Sequence, residues 1–522
     1  MYNILNKTAR PARGAETICR KELKMKKTAA LLLLIIMTLP LLFACGKAPD
    51  GDVSPQGSEQ EQTSSEPEKV YTVEKTDLGN REFRIMCWHF GHNSSSILGF
   101  TGEVLYNEEQ PDSIDEAKKR VVETVEEKFN CRITGNLVHD RGLPTTVRNQ
   151  AESGLVEYDI FFDSISSTTG LASDGLLTDL NSISTIDLSA PWWDQNAVKD
   201  LSIANKLYFV AGDINTYDNQ GTWCMLFNKT LKNKLGIEEN FYELVREDKW
   251  NFDKFMEICS RPGITAETNG DGVLDEKDQW AFGTEAYNIY VHLVAGGLKI
   301  AEKDGDDLPY LTISKSPEAT YTQLAKVLNF YNKHDLVMVA NFSNYANKGF
   351  KSVWEATVHK AFIEGRELFY MCGLIHAASF RVMEDEFGIL PIPKLYPEQD
   401  GWHHTVSQGN STVMYIPECV ENKEQVGTVV SALSEESRKY VTPAYYDVQL
   451  KYRDTRDNES GEMLDLIFST RTFDVGAAYN WGGLLGQYYS EDEGTIVSRF
   501  DAQLPVAQAA LEETLQTIEE HT

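Results

Sequence analysis

The stretch Tyr158-Asp159-Ile160-Phe161-Phe162 is almost entirely apolar, which predicts a strand buried on both faces, as in a parallel sheet. Two further strand patterns precede it, at Phe83–Trp88 and at Cys131–Val138. Helix patterns separate the three strands, one beginning at Ser113 and one covering Pro144–Ser153. The order strand, helix, strand, helix, strand is typical of an α/β fold with a parallel sheet.

The first of these helices carries its own start signal. Ser113 followed by Glu116 has the spacing of a capping box, in which each side chain bonds to a backbone N–H of the first turn. Apolar residues then recur at helical spacing, at Ile114, Ala117, Val121, Val125 and Phe129. We therefore predict an amphipathic helix that begins at Ser113 and packs on the sheet.

Length and charge limit the possible functions. The part that composition marks as folded, 70–522, is roughly 450 residues, which is too long for one hydrophobic core and predicts two lobes. The formal net charge of −30 argues against binding nucleic acid or an anionic membrane surface. The cysteines Cys87, Cys131, Cys224, Cys259, Cys372 and Cys419 are scattered without metal spacing, so we predict buried free thiols.

The N-terminal part of the chain predicts export. Met25-Lys26-Lys27 precedes an apolar run, Ala29–Phe43, that has the length of a signal peptide and is too short to span a membrane comfortably. The following Leu42-Phe43-Ala44-Cys45 resembles the bacterial lipobox. That resemblance implies cleavage before Cys45 and a lipid, diacylglycerol with palmitate, on its sulfur. The alternative is an ordinary signal peptide with a chance cysteine.

We divide this region accordingly. Residues 1–24 are predicted to lie upstream of the true start, and 25–44 to be the lipoprotein signal peptide. Residues 45–69 consist mainly of Ser, Gln, Glu, Gly and Pro, and they are predicted to be a disordered tether because they have too little apolar surface to bury.

Several short motifs occur in one order along the rest of the chain: Gly175–Leu180, Lys206–Val210, Leu226–Leu231, Leu235–Ile237, Trp250–Phe255, Phe362–Gly365 and Leu390–Lys394. Together they resemble the extracellular solute-binding proteins of ABC importers, family 1, the group of the maltose-binding type. In that family Lys206–Val210 would be the crossover strand between lobes. The resemblance implies an α/β, two-lobed periplasmic-binding-protein-like fold of type II with a hinge. Lobe 1 is expected at 70–208 and 407–455, and lobe 2 at 209–406 and 456–522.

The resemblance also implies a function. We expect a lipid-anchored, extracytoplasmic protein, on the surface of a Gram-positive cell, that captures a carbohydrate between its lobes and delivers it to ABC permease subunits. An oligosaccharide is the first ligand class. The alternatives are a binder of a non-sugar solute, such as a peptide or a polyamine, and a surface enzyme that acts on glycans. Catalytic motifs for nucleophiles, zinc, nucleoside phosphates or dinucleotides do not occur, so we assign no catalytic residue.

An acidic, glycine-containing loop predicts a structural calcium site. In the numbering of an EF-hand loop that starts at Glu267, oxygen ligands and the position-7 carbonyl fall at Glu267, Asn269, Asp271, Val273, Asp275 and Asp278. Glycine stands at position 6, where the turn is sharp. Glu at position 1 and Asp at position 12 depart from the usual pattern. The alternative is a pair of Asn-Gly and Asp-Gly turns without a metal.

Aromatic and polar residues at predicted strand ends and loops are our candidates for the ligand site. A sugar needs flat rings for its C–H faces and polar side chains for its hydroxyls, and α/β sheets bind ligands at the carboxyl ends of their strands. Trp402 is the first choice for a stacking residue and Trp193 the second, although packing in the core remains the alternative for any single tryptophan. The candidates are Trp88, His89, Asp163, Ser164, Trp192, Trp193, Asn215, Tyr217, Asp218, Trp402 and Trp481.

Overall fold

The protein is described from a computed structural model, in which the described residues are 70–88, 102–109, 111–138, 142–452 and 459–521. The predictions on His89, Cys45, the signal peptide and the tether lie outside these residues. Among the described residues, no helix is both long enough and apolar enough to cross a bilayer.

The strands are, in chain order, β1 Arg81–Trp88, β2 Cys131–Val138, β3 Ile160–Ser164, β4 Trp223–Asn228, β5 Trp280–Thr284, β6 Ala301–Lys303, β7 Pro309–Leu311, β8 Val337–Val339, β9 Glu367–Gly373, β10 Phe387–Leu390, β11 His404–Thr405, β12 Thr412–Tyr415 and β13 Arg471–Thr472.

The α-helices are α1 Ser113–Phe129, α2 Leu143–Ser153, α3 Ile165–Ser173, α4 Gln195–Leu201, α5 Tyr217–Gln220, α6 Lys229–Lys234, α7 Phe241–Arg246, α8 Phe252–Cys259, α9 Asn288–Ala295, α10 Thr312–Lys315, α11 Pro317–Tyr331, α12 Ser343–Ala346, α13 Lys360–Ile363, α14 Lys423–Tyr452, α15 Glu459–Ser469, α16 Val475–Tyr479 and α17 Ile496–Glu520. A π-helix covers Glu355–His359, and 3-10 helices cover Leu180–Ser182, Leu374–Val382, Trp481–Tyr489 and Glu493–Thr495.

The first sheet has the strand order β12-β3-β1-β2. β1 runs parallel to β2 and to β3, which confirms the predicted strand–helix–strand–helix–strand unit. β3 begins two residues later than predicted, because Asp159 bonds to the neighbouring strand by its side chain. Its carboxylate accepts the backbone N–H of Arg84 at 2.9 Å and pairs with Arg81 at 3.2 Å.

The start of α1 differs from the prediction of a Ser113 and Glu116 capping box. The residue before Ser113, Asp112, caps the helix instead, and its carboxylate accepts the N–H of Ile114 at 2.8 Å and of Asp115 at 2.9 Å. The Asp115 carboxylate in turn accepts the backbone N–H of Asp112, which completes a capping box one residue earlier than predicted. The predicted box was wrong because Ser113 is already inside the helix, and the N–H of Glu116 donates to the backbone carbonyl of Asp112 at 3.0 Å.

The crossover strand expected at Lys206–Val210 is not a strand. This segment makes only isolated pairings, of Ile203 with Lys206 and of Val210 with Met414. Val210 and Met414 exchange two backbone hydrogen bonds, of 3.0 and 2.9 Å. The segment therefore pairs with β12 at Val210 only, and a single bridge does not make a strand.

The second sheet has the strand order β10-β4-β9-β5-β8. β9 runs parallel to its neighbour β5 and antiparallel to its other neighbour β4, so the strand direction of this mixed sheet reverses between β9 and β4. Aromatic rings fill the space beside it, and Trp250 also donates from Nε1 to the carbonyl of Pro391 at 2.9 Å. The ring contacts join Phe241, Trp250, Phe255 and Phe369 at centroid distances of 5.2 to 6.0 Å.

The two sheets belong to one compact unit, 70–522. The long helix α14 comes after the second sheet in the chain but packs on α1 beside the first sheet. The predicted lobe boundaries at 208, 406 and 455 stay predictions. The predicted state of the cysteines is confirmed for the described part of the chain: Cys87, Cys131, Cys224, Cys259 and Cys372 are buried free thiols, and Cys419 is a half-buried one.

Glu367, at the start of the central strand β9, is an unusual residue for a sheet interior. Its side chain is fully buried, and neither carboxylate oxygen has a hydrogen-bond partner in the described part of the chain. The carboxyl group lies against Gly283 of β5, so closely that a Cβ at position 283 would collide with it. Burial raises the pKa of Glu367 well above its usual range, which favours the neutral acid in the folded protein.

We predict that Glu367→Gln flattens the pH dependence of stability. The unfolded chain releases this proton above a pKa of about 4.3, whereas the folded chain keeps it, so the residue lowers stability increasingly as the pH rises above that value. Urea unfolding at pH 5 and pH 8 should show a smaller difference for the variant than for the parent, and greater stability at pH 8. The exposed Glu318→Gln serves as the control. Parallel pH profiles for parent and Glu367→Gln would contradict this assignment.

Candidate functional site

The carboxyl ends of the parallel strands in each sheet form one edge, which is where α/β sheets bind ligands. In the first sheet β1 ends at Trp88 and β3 at Ser164. In the second sheet β5 ends at Thr284 and β9 at Gly373, and Gly373 is paired with Trp223 at the start of β4. The residues next to these ends are therefore the ones to examine.

The two edges meet through a short set of direct contacts. Tyr287, just after β5, donates its hydroxyl to Gln408 Oε1 at 2.7 Å. The backbone carbonyl of Gln408 accepts the N–H of Ser166 in α3 at 2.9 Å, and that of Ser411 accepts the N–H of Ile165 at 3.1 Å. Gln408 thus connects the edge of the second sheet to the helix that follows β3.

Five side chains around this meeting point are buried but have polar atoms without a hydrogen-bond partner in the described part of the chain. Each is at most 5% exposed. We call these residues the edge cluster, and the atoms are Gln220 Oε1 and Nε2, Trp223 Nε1, Asn288 Oδ1, Gln408 Nε2 and Ser411 Oγ. Leaving a buried polar group without a partner costs about 1–3 kcal/mol. A concentration of such groups at one place indicates that something outside the chain, solute or water, supplies their partners.

The backbone holds the edge cluster close together. The carbonyl of Gly221 accepts the N–H of Ser407 at 2.9 Å, and a Cβ at Gly221 would collide with Ser411 Oγ. The Trp223 and Tyr287 rings lie 5.5 Å apart. Only glycine at 221 allows the end of α5 to approach the loop before β12, and this approach places Gln220 next to Ser411.

Two carboxyl groups accompany the edge cluster. Asp163 on β3 is fully buried, and its Oδ1 accepts the N–H of Ser164 at 2.6 Å. The carboxylate of Glu285, directly after β5, has no hydrogen bond or ion pair within the described residues, and desolvation raises its pKa to about 7. Burial also raises the pKa of the Tyr287 hydroxyl, which stays a neutral donor. The edges therefore carry acidic and aromatic groups together.

The connecting segment before α5 is fixed by a buried carboxylate, that of Glu103. It accepts the N–H and the hydroxyl of Thr216, both at 2.6 Å, the N–H of Tyr217 at 3.2 Å, and the hydroxyl of Thr412. Asn215 adds a 3.3 Å bond from Nδ2 to the carbonyl of Thr412. These bonds tie the start of α5 to the start of β12.

A separate cavity of about 230 Å³ lies beside the same segment. Arg471 Nη2 pairs with Asp194 at 2.5 Å, and Nη1 pairs with Asp218 at 3.0 Å. Burial raises the pKa of Asp218 to about 8, against the opposing charge of Arg471. The lining residues are Pro191, Trp192, Trp193, Asp194, Gly212, Asp213, Asp218, Asn219, Arg438, Thr442, Tyr446, Phe468 and Arg471.

The predicted ligand residues thus fall into separate groups. Trp192, Trp193 and Asp218 line the cavity around Arg471. Trp88, Asp163 and Ser164 lie at the edge of the first sheet, and Asn215 and Tyr217 lie in the segment held by Glu103.

The two remaining tryptophans make their described contacts elsewhere. Trp402 is half-buried, with its ring 5.2 Å from Lys394 Nζ and 6.5 Å from the ring of His404. Trp481 is 4% exposed and donates from Nε1 to Thr514 of α17 at 2.9 Å. The structure therefore does not group Trp402 and Trp481 with the edge cluster, and ligand binding by each predicted residue stays a prediction.

Sequence reasoning missed all five residues of the edge cluster, and it also missed Glu285 and Tyr287 beside it in the chain. Glu285 and Tyr287 follow β5 directly, so the rule used for β1 and β3 could have found them. Gln220 and Gln408 carry no such signal. What distinguishes them is burial without a partner, which appears only once distant segments are brought together.

The loop predicted to bind calcium forms turns with its own backbone. Asp278 accepts the N–H groups of Thr268 at 2.7 Å, Asn269 at 3.1 Å and Asp275 at 2.8 Å. In the described part of the chain, no three His, Cys, Asp or Glu side chains are grouped as a metal ion would require. The oxygens have the chemistry that calcium prefers, but here they accept hydrogen bonds. Calcium binding stays a prediction that needs a rearranged loop.

No model of a known protein family matches the sequence, and no curated protein matches it. Solved structures are similar. M. tuberculosis UspC has a TM-score of 0.53 and 14% identity, over 83% of this chain and 100% of that one. A cyclo/maltodextrin-binding protein complexed with maltotetraose has a TM-score of 0.50 and 12% identity, over 84% of this chain and 96% of that one. This likeness confirms the predicted fold, the two-lobed α/β fold of ABC solute-binding proteins.

Proposed function

We propose that this protein captures a carbohydrate between the facing edges of its two sheets and presents it to an ABC importer. The observation that carries the proposal is the edge cluster, whose buried donors and acceptors have no partner in the described chain. A sugar hydroxyl both donates and accepts, so one ligand could satisfy amide, indole and hydroxyl groups together. The rings of Trp223 and Tyr287 beside them would cover the apolar faces of a sugar.

Two further points support a carbohydrate and a binding role. One similar structure is named as a maltodextrin-binding protein in complex with maltotetraose, and its fold matches over most of this chain. The edge cluster is also built from both sheets, so a solute there would contact both. A ligand favours the closed arrangement only by such differential contact. We therefore propose binding and release to a permease, not catalysis.

The location that we propose is the outer face of the cell membrane. The signal-peptide pattern at 25–44 supports export, and the lipobox-like Leu42–Cys45 supports a lipid on Cys45. Residues 45–69 would then separate the lipid from the described fold, which begins at Val70.

We predict that Gln220→Met weakens sugar binding without lowering stability. The amide of Gln220 has no partner in the described chain, so its loss removes ligand contacts and a desolvation penalty but no internal bond. The ligand would come from a thermal-shift screen of maltodextrins and other oligosaccharides, since a ligand of the native state raises the unfolding midpoint. Calorimetry should then show a loss of about 1–3 kcal/mol, which is roughly a fivefold to 150-fold rise in Kd.

Gln150→Met is the matched control. Gln150 is also buried, but its side chain accepts from Glu157 and Tyr158 and donates to the carbonyl of Tyr158. This variant should lose stability and keep its affinity. If no oligosaccharide shifts the midpoint, the carbohydrate proposal is wrong. If Gln220→Met binds like the parent, the edge cluster is not the site.

We predict that Cys45→Ser moves the protein from the membrane fraction to the soluble fraction. The serine cannot carry the thioether-linked lipid, and the change lies before the described fold, so the unfolding midpoint should not move. Cys419→Ser, at a half-buried cysteine within the fold, should remain with the membrane. A Cys45→Ser protein that still sediments with membranes would refute the lipid anchor.

We predict that calcium raises the unfolding midpoint and that a chelator reverses this. Calcium at a concentration well above the Kd of the site should add about 1–3 kcal/mol to the free energy of unfolding. Asp271→Asn should abolish the calcium-dependent shift. Asp304→Asn changes a similar turn, in which Asp304 accepts the N–H groups of Asp306 and Leu308, and should retain the shift. Identical melting with calcium and with chelator would leave the loop a metal-free turn.

A further inference from the structure

Two of the buried cysteines lie directly opposite each other in the second sheet. Cys224 of β4 and Cys372 of β9 are register partners in an antiparallel pair, and each is at most 2% exposed. Residues directly opposite each other on antiparallel strands have their side chains on the same face of the sheet. Burial raises the pKa of Cys372 well above its usual range, and the neighbouring Cys224 thiol raises it further. The two thiols are therefore close neighbours on one face.

The backbone hydrogen bonds of β4 and β9 indicate the spacing of this pair. Leu374 donates its N–H to the carbonyl of Thr222 at 2.9 Å, so Thr222 and Leu374 form a hydrogen-bonded pair at the end of the two strands. Pair types alternate along antiparallel strands, so Cys224 and Cys372, two residues further along, are also a hydrogen-bonded pair, for which the Cα atoms lie about 5.5 Å apart. Disulfides join cysteines whose Cα atoms are about 4.4–6.8 Å apart. A bond between Cys224 and Cys372 is therefore compatible with the strand register as it stands.

None of the other cysteines in the described part of the chain is the register partner of a cysteine. In the parallel pair of β1 and β2, Cys87 lies opposite Leu137, and Cys131 lies opposite Arg81. The strand register therefore selects one pair and excludes a bond between Cys87 and Cys131. The last two described cysteines lie outside the strands: Cys259 ends α8, and Cys419 lies between β12 and α14.

The proposed export gives this pair an environment in which it can react. Disulfides form and persist outside the cytoplasm, whereas thiols inside it are kept reduced. Both thiols are enclosed in the folded chain, and the reactive form of a cysteine is the thiolate, which burial disfavours. The bond would therefore form while β4 and β9 come together during folding, and the free thiols of the structure are the reduced form of the protein.

We propose that Cys224 and Cys372 are joined by a disulfide bond in the exported protein. The oxidant is another disulfide, small or protein-borne. One cysteine thiolate attacks it, which forms a mixed disulfide and releases one thiol. The second cysteine thiolate then attacks the mixed disulfide and releases the other thiol, so that the oxidant is reduced to two thiols, which take up the protons of both cysteines.

The bond would lie beside the edge cluster. Trp223, a member of that cluster, and Gly373 are the next register pair after Cys224 and Cys372. The disulfide would therefore join β4 and β9 covalently at the end of the strands where Trp223 is held. This inference rests on the proposed export and not on the proposed carbohydrate.

Alkylation followed by peptide mass spectrometry tests the bond. The full chain, recovered from the outer face of expressing cells, would be unfolded in urea with iodoacetamide, with and without prior reduction. A second sample would be the reduced chain refolded in a mixture of oxidised and reduced glutathione. Without prior reduction, Cys224 and Cys372 should escape alkylation in both samples and be recovered as one cross-linked peptide pair, whereas Cys87 and Cys131 should be alkylated. Prior reduction should make all four cysteines react.

Two variants assign the bond to its residues. Cys224→Ala should leave Cys372 open to alkylation without reduction. Cys87→Ala, at another buried cysteine, is the matched control and should keep the cross-link. Because a cross-link restricts the unfolded chain, reductant should lower the unfolding midpoint of the parent and of Cys87→Ala but not that of Cys224→Ala.

The outcomes separate this inference from the proposed function. If Cys224 and Cys372 of the exported protein are alkylated without prior reduction, the disulfide is wrong and export stands. Cross-links between other cysteines, or an effect of reductant on the midpoint that persists in Cys224→Ala, also overturn it. If the protein is found only in the cytoplasm, the proposed location fails, and the disulfide of the exported protein fails with it. Sugar binding is not a readout, so the carbohydrate proposal is tested independently.

Discussion

The contact on which the arrangement of this protein most depends is the buried carboxylate of Glu103. It accepts hydrogen bonds from Thr216, Tyr217 and Thr412, so it joins the segment that leads into the second sheet to the strand that returns to the first. A carboxylate buried this deeply is tolerable only because its oxygens are occupied by well-placed donors. Gln220 follows Thr216 by four residues and Ser411 directly precedes Thr412, so these bonds to Glu103 also hold Gln220 and Ser411 near each other.

A second buried charge holds the same short helix from another side. Arg471 pairs with Asp218 at 3.0 Å and donates to Asn219 at 2.8 Å, while its other nitrogen pairs with Asp194. The four residues of α5 could not form a stable helix alone, because so short a segment gains few internal hydrogen bonds. Glu103 at its start and Arg471 at its middle supply what the helix lacks. The position of Gln220 is therefore set by charge contacts, not by helix propensity.

The sequence predicts the sheet better than the site, for a physical reason. β2 was predicted at its observed bounds because its apolar pattern and its flanking turns are local. β3 shifted because the Asp159 carboxylate reached an adjacent strand, and the expected strand at Lys206–Val210 failed because only one residue meets β12. The strand-end rule places Asp163 and Ser164 at the edge of the first sheet, where the structure also has them, and their role in binding stays a prediction. The rule could not identify Gln220 or Gln408, because nothing in the sequence distinguishes these amides from those of exposed residues. Only the tertiary structure shows that they are buried.

Two carboxyl groups in the second sheet show why burial alone does not identify a site. Glu367 and Glu285 both lack a cation among the described residues, and burial raises the pKa of each. Glu367 is fully enclosed against Gly283, where no solute can reach it, so its protonated state concerns stability only. Glu285 is half-buried directly after β5, on the same sheet edge as the edge cluster, whose polar atoms lack partners among the described residues. Unpartnered polar groups that lie together at strand ends are where function is expected, because one ligand can supply partners to several of them at once.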